Sequence, residues 1–343
     1  MQNRWSIDFI VRLIALSLCN PILASLVPVT MLTSTALTTT SLQFRASCLY
    51  ASGLWIFRGL RSLDRRYRRG RGGGSRTGEG VGVRRVVIVT GGSSGLGRAV
   101  ASVLSAGGQT VYNFDVEGPA DPVPGTHFIA CDVSSVASVR AATARVMQRE
   151  GEVSAVVCNA AQCRAGTIAD LAIGTVEGLV GVNLVSHFIL AQQLLPIMAA
   201  DGQWVTVGSS LGHVGVYGLA GYCVTKAGTL AFHESLTVEL ARSRPQMRTL
   251  LITPGQIDTA LFQHVRNPSQ FLAPTLDVLD LARDIVHKIE TREAGEFGAP
   301  LYAGFLGLLR VLPSGLVQAI RHWSGVDRAV IEMLERKEGK EKE

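Results

Sequence analysis

Apolar positions fall into two patterns along the chain. Before residue 85 they form long runs; after it they come in short blocks separated by Gly, Pro, Asp and Ser. Val86-Val87-Ile88-Val89 is β-branched without polar alternation, which suits a strand covered on both faces of a parallel sheet. Comparable blocks recur at residues 110–114, 127–131, 155–158, 204–207 and 249–252, with helix-period stretches at residues 136–149, 176–198 and 222–242 between them. This alternation predicts an α/β fold, a doubly wound parallel sheet, over residues 85–298.

The first 84 residues read differently. Residues 13–44 carry no charged side chain, a run long enough to cross a hydrocarbon core, but Pro21 and Pro28 interrupt it and its second half is rich in Thr and Ser. A span is therefore expected near residues 9–29, kinked at Pro21. A second apolar stretch, residues 46–57, is too short to span alone and is expected to be an interfacial helix or half of a hairpin. Eight arginines follow (Arg58, Arg61, Arg65, Arg66, Arg68, Arg69, Arg71 and Arg76), opposed only by Asp64. Such a cluster beside an apolar segment stays on the cytosolic side, against anionic head groups. Residues 1–60 are thus expected to be membrane-associated. Residues 61–84, with seven glycines between 70 and 82, read as a basic, flexible linker. Asp8 speaks against a cleaved secretory signal; a mitochondrial transit peptide and a translation start upstream of the true one are the alternatives.

Charge narrows the function. Residues 1–84 hold 12 Arg and three acids, a local charge of +9, so the net +6 leaves −3 for the remainder. A nucleic-acid-binding face on the folded body is not expected. The six cysteines form no C-x-x-C pair and no histidine spacing completes a metal site; they read as small hydrophobes of a reducing compartment.

Directly after the first strand comes Thr90-Gly91-Gly92-Ser93-Ser94-Gly95-Leu96-Gly97, then a helical stretch from Ala99. Strand, glycine-rich turn and helix bring free backbone N–H groups and the positive helix end to one place, where a pyrophosphate is held. The second strand ends in Asp115, roughly the distance at which an acid accepts the ribose hydroxyls of NAD. An acid there repels the extra phosphate of NADP. Taken alone, the turn is equally a tight strand-to-helix connection and Asp115 a solvated strand end.

Thr90-Gly91-x-x-x-Gly95-x-Gly97 with Tyr222-x-x-x-Lys226 downstream resembles the short-chain dehydrogenase/reductase family, over residues 85–298. The resemblance implies a Rossmann fold and a nicotinamide cofactor, NAD by the Asp115 argument. It places Gly91, Ser93, Ser94, Gly95, Leu96, Gly97 and Asp115 around the dinucleotide, and Asp132 and Val133 beside its adenine. Asn159, Ala160 and Ala161 match the family's N-A-G turn; Ala161 departs from it and is expected to stiffen the turn. Pro254, Gly255, Ile257 and Thr259 match the segment that closes over the nicotinamide. By the same resemblance Asn183 holds a water that relays protons from Lys226, Tyr222 and Lys226 also touch the cofactor, and the chain pairs into a homo-oligomer through the helices near Val176 and Tyr222.

The chemistry has its own logic. Moving a proton from an alcohol while its carbon loses hydride needs a base, and a phenol with a pKa of about 10 is too weak unless its anion is stabilised. Lys226 lies four residues after Tyr222 on one helix face, and its charge together with that of the oxidised nicotinamide is expected to lower that pKa. A hydroxyl should hold the substrate oxygen. Spacing from Gly202 and Tyr222 favours Ser209, with Ser210 as the alternative. The catalytic set is thus Asn183, Ser209, Tyr222 and Lys226. A surface tyrosine beside a solvated lysine is the plainer reading of Tyr222 and Lys226 alone. His213 and Tyr217 read as loop residues.

Residues 260–274 occupy the family's mobile substrate cover, and Leu261, Phe262, Val265, Phe271 and Leu272 there favour a lipophilic alcohol or ketone. Residues 297–320 carry one charge, Arg310; a final strand and core helix are expected, with a second membrane contact as the alternative. Residues 299–343 thus comprise an apolar segment and a charged tail. The whole is similar to the membrane-associated retinol and 17-beta-hydroxysteroid dehydrogenase branch, which implies a cytosolic catalytic domain at the endoplasmic reticulum or a lipid droplet. The competing expectations are an NADPH-dependent lipid ketone reductase and a catalytically silent, membrane-tethered scaffold.

Overall fold

The computed structural model describes residues 6–33, 41–69, 85–262, 265 and 267–341. The chain forms two compact units, one within residues 3–74 and one within residues 75–343. Of the linker read at residues 61–84, residues 61–69 are helical and residues 70–84 lie outside the described residues.

The N-terminal unit holds helices α1 (Ile7–Leu16), α2 (Pro21–Thr33) and α3 (Leu42–Arg69). Ser6 caps α1 by accepting from the Phe9 N–H. The expected kinked span is two helices set 45° apart, because Pro21 takes the first position of α2, where its missing N–H costs nothing. The apolar stretch at residues 46–57 is the middle of a 28-residue helix that runs on into the arginines. It is one arm of a hairpin: the Tyr50 hydroxyl donates to the Leu18 carbonyl at 2.6 Å and Trp55 Nε1 donates to Ser25 Oγ at 3.1 Å. Small residues, Ala24 and Ala51, are buried, while Leu13, Leu16, Leu49 and Ile56 face outward.

The second unit is a seven-stranded sheet in the order β3-β2-β1-β4-β5-β6-β7, parallel throughout. Its strands are β1 (Val86–Thr90), β2 (Thr110–Asp115), β3 (Thr126–Ala130), β4 (Val153–Cys158), β5 (Met198–Val207), β6 (Arg248–Pro254) and β7 (Gly295–Ala299). Successive residues of β1 feed opposite layers. Val87 and Val89 pack with α4 (Gly95–Ala106) and α9 (Val278–Glu290). Ile88 packs with α5 (Val136–Glu150), α7 (Ser186–Leu194) and α8 (Ala220–Ser243). This is the doubly wound Rossmann arrangement. Chain order reverses beside β1, between β2 and β4, and opens a crevice at the C-terminal ends of those strands.

Two stretches differ from the sequence reading. The helix expected at 176–198 is α6 (Ile173–Val180), a π turn (Gly181–Val185), α7 and a 3-10 turn, and Met198 already belongs to β5. Residues Ile173–Ile197 are long and apolar enough to cross a membrane, but Leu179, Leu190 and Leu194 are packed within the sheet unit. After β7 the expected core helix is a 3-10 helix (Leu301–Val311) with Ala303 as its one buried residue, followed by α10 (Ser314–Ser324) and α11 (Val326–Glu341).

Candidate active site

The turn after β1 folds as its glycines require. Gly95 has φ +51°, a region that L side chains rarely adopt, and a Cβ there would meet nothing nearer than Thr259 Cγ2 at 3.5 Å. That is ordinary van der Waals contact. Gly97 is the opposite case: a Cβ would strike the Gly91 carbonyl oxygen and stand 2.5 Å from Asn159 Nδ2. The first N–H groups of α4, including that of Leu96, have no intrahelical partner, and the side chain of its N-cap Ser94 makes no cap hydrogen bond. A left-handed glycine beside such N–H groups fits a pyrophosphate.

Asp115 ends β2 beside this turn. Its Oδ2 accepts from the Ser93 N–H at 3.0 Å and its Oδ1 from the Val116 N–H at 2.8 Å, which fixes the carboxylate at the crevice edge. Asn113, absent from the sequence-read set, supports it from below. Its Nδ2 donates to Ser93 Oγ at 2.9 Å, and Ser93 Oγ donates to the Glu117 carbonyl at 2.6 Å. A polar residue inside the apolar run of β2 was the signal.

The turn is stapled to β4. Asn159 Nδ2 donates to the carbonyls of Thr90 (3.1 Å) and Gly91 (3.2 Å), while Thr90 Oγ1 accepts from the N–H groups of Asn159 and Ala160. Thr90 and Asn159 are therefore scaffolding for the glycine turn. Ala161 is not in the left-handed region, so the alanine costs no backbone strain there. Asp132 accepts from the Ser134 N–H and hydroxyl, and Val133 is buried in the core.

At the end of β5 the structure brings Ser209, Tyr222 and Lys226 together. Of the two serines, Ser209 stands close enough to the Tyr222 phenol to oppose the effect of burial on it, while its own Oγ accepts from the Leu211 N–H at 3.2 Å. Lys226 is buried; its Nζ donates to the Val207 carbonyl at 2.9 Å and lies 5.7 Å from the Tyr222 ring centre. The expected lowering of the phenol pKa by Lys226 is not what this geometry does. Burial, which penalises the anion, dominates and raises the Tyr222 pKa, with Ser209 opposing it. Burial also lowers the Lys226 ammonium to about 8. Asn183, in the π turn, is fully buried and reaches α8 through Thr225 Oγ1 at 3.1 Å, the residue before Lys226.

The short chain dehydrogenase family model matches residues 85–270, more than half of the chain. The chain belongs to that family.

This short-chain dehydrogenase is 30% identical over 249 residues to the uncharacterized oxidoreductase TDA5 of Saccharomyces cerevisiae, covering 71% of this chain and 76% of that protein. It is 28% identical over 249 residues to estradiol 17-beta-dehydrogenase 11 of Mus musculus (69% and 83% covered). With epidermal retinol dehydrogenase 2 of Mus musculus it shares 30% identity over 217 residues (60% and 70% covered). Among solved structures, the ligand-free aldohexose dehydrogenase of Thermoplasma acidophilum has the same fold, with a TM-score of 0.56 at 21% identity over 63% of this chain and 92% of that one. The retinol and 17-beta-hydroxysteroid resemblance read from the sequence is borne out, and the chain is an oxidoreductase of a family that works with a nicotinamide cofactor.

The rest of the dehydrogenase's site is a cover. After β6 ends at Pro254, the Gly255 N–H donates to the Ala299 carbonyl at 2.7 Å and the Tyr302 ring packs where a Cβ of Gly255 would be. No local pattern announced Tyr302. Ile257 pairs with Leu276, and Thr259 turns back over Gly95. Phe262 stands edge-on to Tyr222, ring centres 5.5 Å apart, and with Val265 packs on Val216, Leu219 and Cys223. The Tyr217 N–H donates to Asp327 Oδ1, and His213 lies 3.6 Å from Glu296, so both are loop residues bound to later parts of the chain.

Proposed function

We propose that this short-chain dehydrogenase interconverts lipophilic alcohols and ketones with NAD(H), in the cytosol at the surface of a membrane that residues 1–60 enter. The observation that carries the reading is the burial together of Ser209, Tyr222 and Lys226, with the Lys226 ammonium 5.7 Å from the phenol ring and Phe262 edge-on to it. The bound nicotinamide would supply or accept the hydride. The chain's own groups handle the oxygen and the proton. Ser209 Oγ orients the substrate oxygen, and the Tyr222 hydroxyl exchanges the proton with it. Its raised pKa keeps the phenol protonated at neutral pH, ready to donate to a ketone. As an acceptor from an alcohol it depends on positive charge nearby, and Lys226 is the chain's own source of that charge. Phe262 and its apolar neighbours exclude water from the exchange.

Asp115 supports NAD over NADP, because an acid fixed at the end of β2 beside the glycine turn repels the extra phosphate of NADP. The names of the relatives, an estradiol and a retinol dehydrogenase, support a steroid- or retinoid-like lipid as substrate. The outward apolar faces of α1–α3 support membrane attachment, at the endoplasmic reticulum or a lipid droplet by likeness to that branch. Exposed Val185 at the end of the π turn, Phe188 on α7 and Val224 and Val238 on α8 support pairing with a second copy.

Titration of the full chain with NADH and with NADPH, followed by nicotinamide fluorescence, tests the reading. NADH should bind at least ten-fold more tightly, and Asp115→Ala should erase the preference. Tighter binding of NADPH would make the protein an NADPH-dependent ketone reductase, and binding of neither would make it a scaffold.

A further inference from the structure

Beyond the site, a run of exposed large apolar side chains lies on the C-terminal segment of the second unit. A 3-10 helix has three residues per turn, so residues three apart stack in one line. In the helix Leu301–Val311 that line is Phe305, Leu308 and Val311, which are 56%, 58% and 78% exposed. Leu306 and Leu309, on the neighbouring line, are only partly exposed. The next element, α10, adds Leu316 and Trp323, 49% and 73% exposed. Among the described residues these five large apolar side chains on two successive helices are about half or more exposed to solvent, a surface that marks an interaction site.

The charge around them says what covers it. Residues 301–328 hold three arginines, Arg310, Arg321 and Arg328, against one acid, Asp327, which pairs with Arg321 at 2.7 Å; the exposed Arg328 lies 3.6 Å from Glu332. An apolar ridge with a tryptophan and cations at its edge matches the interface of an anionic bilayer, apolar groups toward the acyl chains and cations toward the head groups.

The inner side of this segment grips the substrate mouth. Arg310 donates from Nε to the His213 carbonyl (3.1 Å) and from Nη2 to the Gly212 carbonyl (3.2 Å). Arg321 Nη1 donates to the Gly215 carbonyl at 2.5 Å, and Asp327 accepts from the Tyr217 N–H at 3.0 Å. These four bonds hold the loop that joins Ser209 to Tyr222. Val330 and Met333 of α11 pack in the same cluster as Phe262 and Val265 of the cover.

We propose that the C-terminal segment is a membrane-docking cap, seated on an anionic lipid surface through Phe305, Leu308, Val311, Leu316 and Trp323, and that it presents the mouth between Phe262 and Tyr222 to substrate dissolved in that bilayer. The proposal rests on the membrane attachment argued above and is independent of cofactor choice.

The test uses the full chain on phosphatidylcholine–phosphatidylserine vesicles containing bromo-lipids. The Trp323 signal is taken as the difference between wild type and Trp323→Phe. More than half of that component should be quenched, and Leu308→Glu with Val311→Glu should abolish the quenching. The same double variant should lose at least ten-fold in kcat/KM for a vesicle-borne long-chain alcohol, and nothing for a short water-soluble one. Quenching of the remaining tryptophans without Trp323, or Trp323 open to aqueous iodide instead, overturns the cap alone. Quenching of no tryptophan overturns the membrane attachment itself. Trp323 shielded from both quenchers in a dimer assigns the ridge to a second copy and overturns the lipid assignment.

Discussion

The Asn183 side chain grips the peptide groups of Gln162 from both sides: Oδ1 accepts from the Gln162 N–H at 2.7 Å and Nδ2 donates to the Gln162 carbonyl at 2.8 Å. Its own carbonyl accepts from Thr229 Oγ1 at 3.0 Å. The residue thus ties the turn after β4, the π turn and α8 into one piece. Replacing Asn183 with Ala strands a donor and an acceptor of the main chain, which costs about 2 kcal/mol. Thermal unfolding should shift down by roughly 5 °C. Asn183→Asp should do worse, since a carboxylate oxygen would face the Gln162 carbonyl; a variant as stable as wild type would dismiss the clamp.

Gly95 and Gly97 should fail in different ways. Gly95→Ala places a methyl in the cradle and strains a positive φ by about 1–2 kcal/mol, so NADH affinity should drop more than ten-fold in a protein that still folds. Gly97→Ala collides with backbone and with Asn159, so soluble folded protein itself should be lost. Circular dichroism beside cofactor titration separates the two.

Ser209 and Ser210 are neighbours with different partners. Ser209→Ala should reduce kcat at least a hundred-fold with cofactor affinity intact, whereas Ser210→Ala should retain most activity. The reverse ranking would move the proton-handling site by one residue. Tyr222→Phe should abolish turnover while leaving NADH fluorescence titration unchanged.

Two buried imidazoles behind Lys226 set an acid limit on stability. Burial lowers His187 to about 3, assisted by the charge of Lys226, and lowers His233 to about 4. Their folded values lie below the ordinary 6.5, so on acidification the unfolded chain takes up these protons first and stability falls as pH drops from 6.5 toward 4. Each unit of separation is worth about 1.4 kcal/mol. The loss of unfolding temperature between pH 7 and pH 5 should therefore shrink in His187→Gln and His233→Gln, and an unchanged loss would show that other groups set the limit.

Legibility differed by the range of the interactions involved. The strand at Val86 and the glycine turn are readable because burial on both faces and a left-handed φ are local demands on residue type. The catalytic set needed spacing as well, and spacing sufficed for Tyr222 and Lys226 on one helix. Tyr302 against Gly255, Thr259 over Gly95 and the clamp of Arg310 on the His213 loop join segments far apart in the chain, and no local pattern encodes such pairs. The proton affinity of Tyr222 was misread because the sequence shows a nearby lysine and hides the burial that outweighs it.

The π turn at Gly181–Val185 is a phase correction. Each helical residue advances the side-chain direction by about 100°, and a π turn absorbs one extra residue. Leu179, Asn183, His187, Leu190 and Leu194, spaced four, four, three and four residues apart, face inward on both sides of it. Removing one residue there would close the turn into a plain helix with Leu190 and Leu194 still on the sheet, and would draw Asn183 away from Gln162 and Thr225, the partners that its place in the wider turn lets it reach.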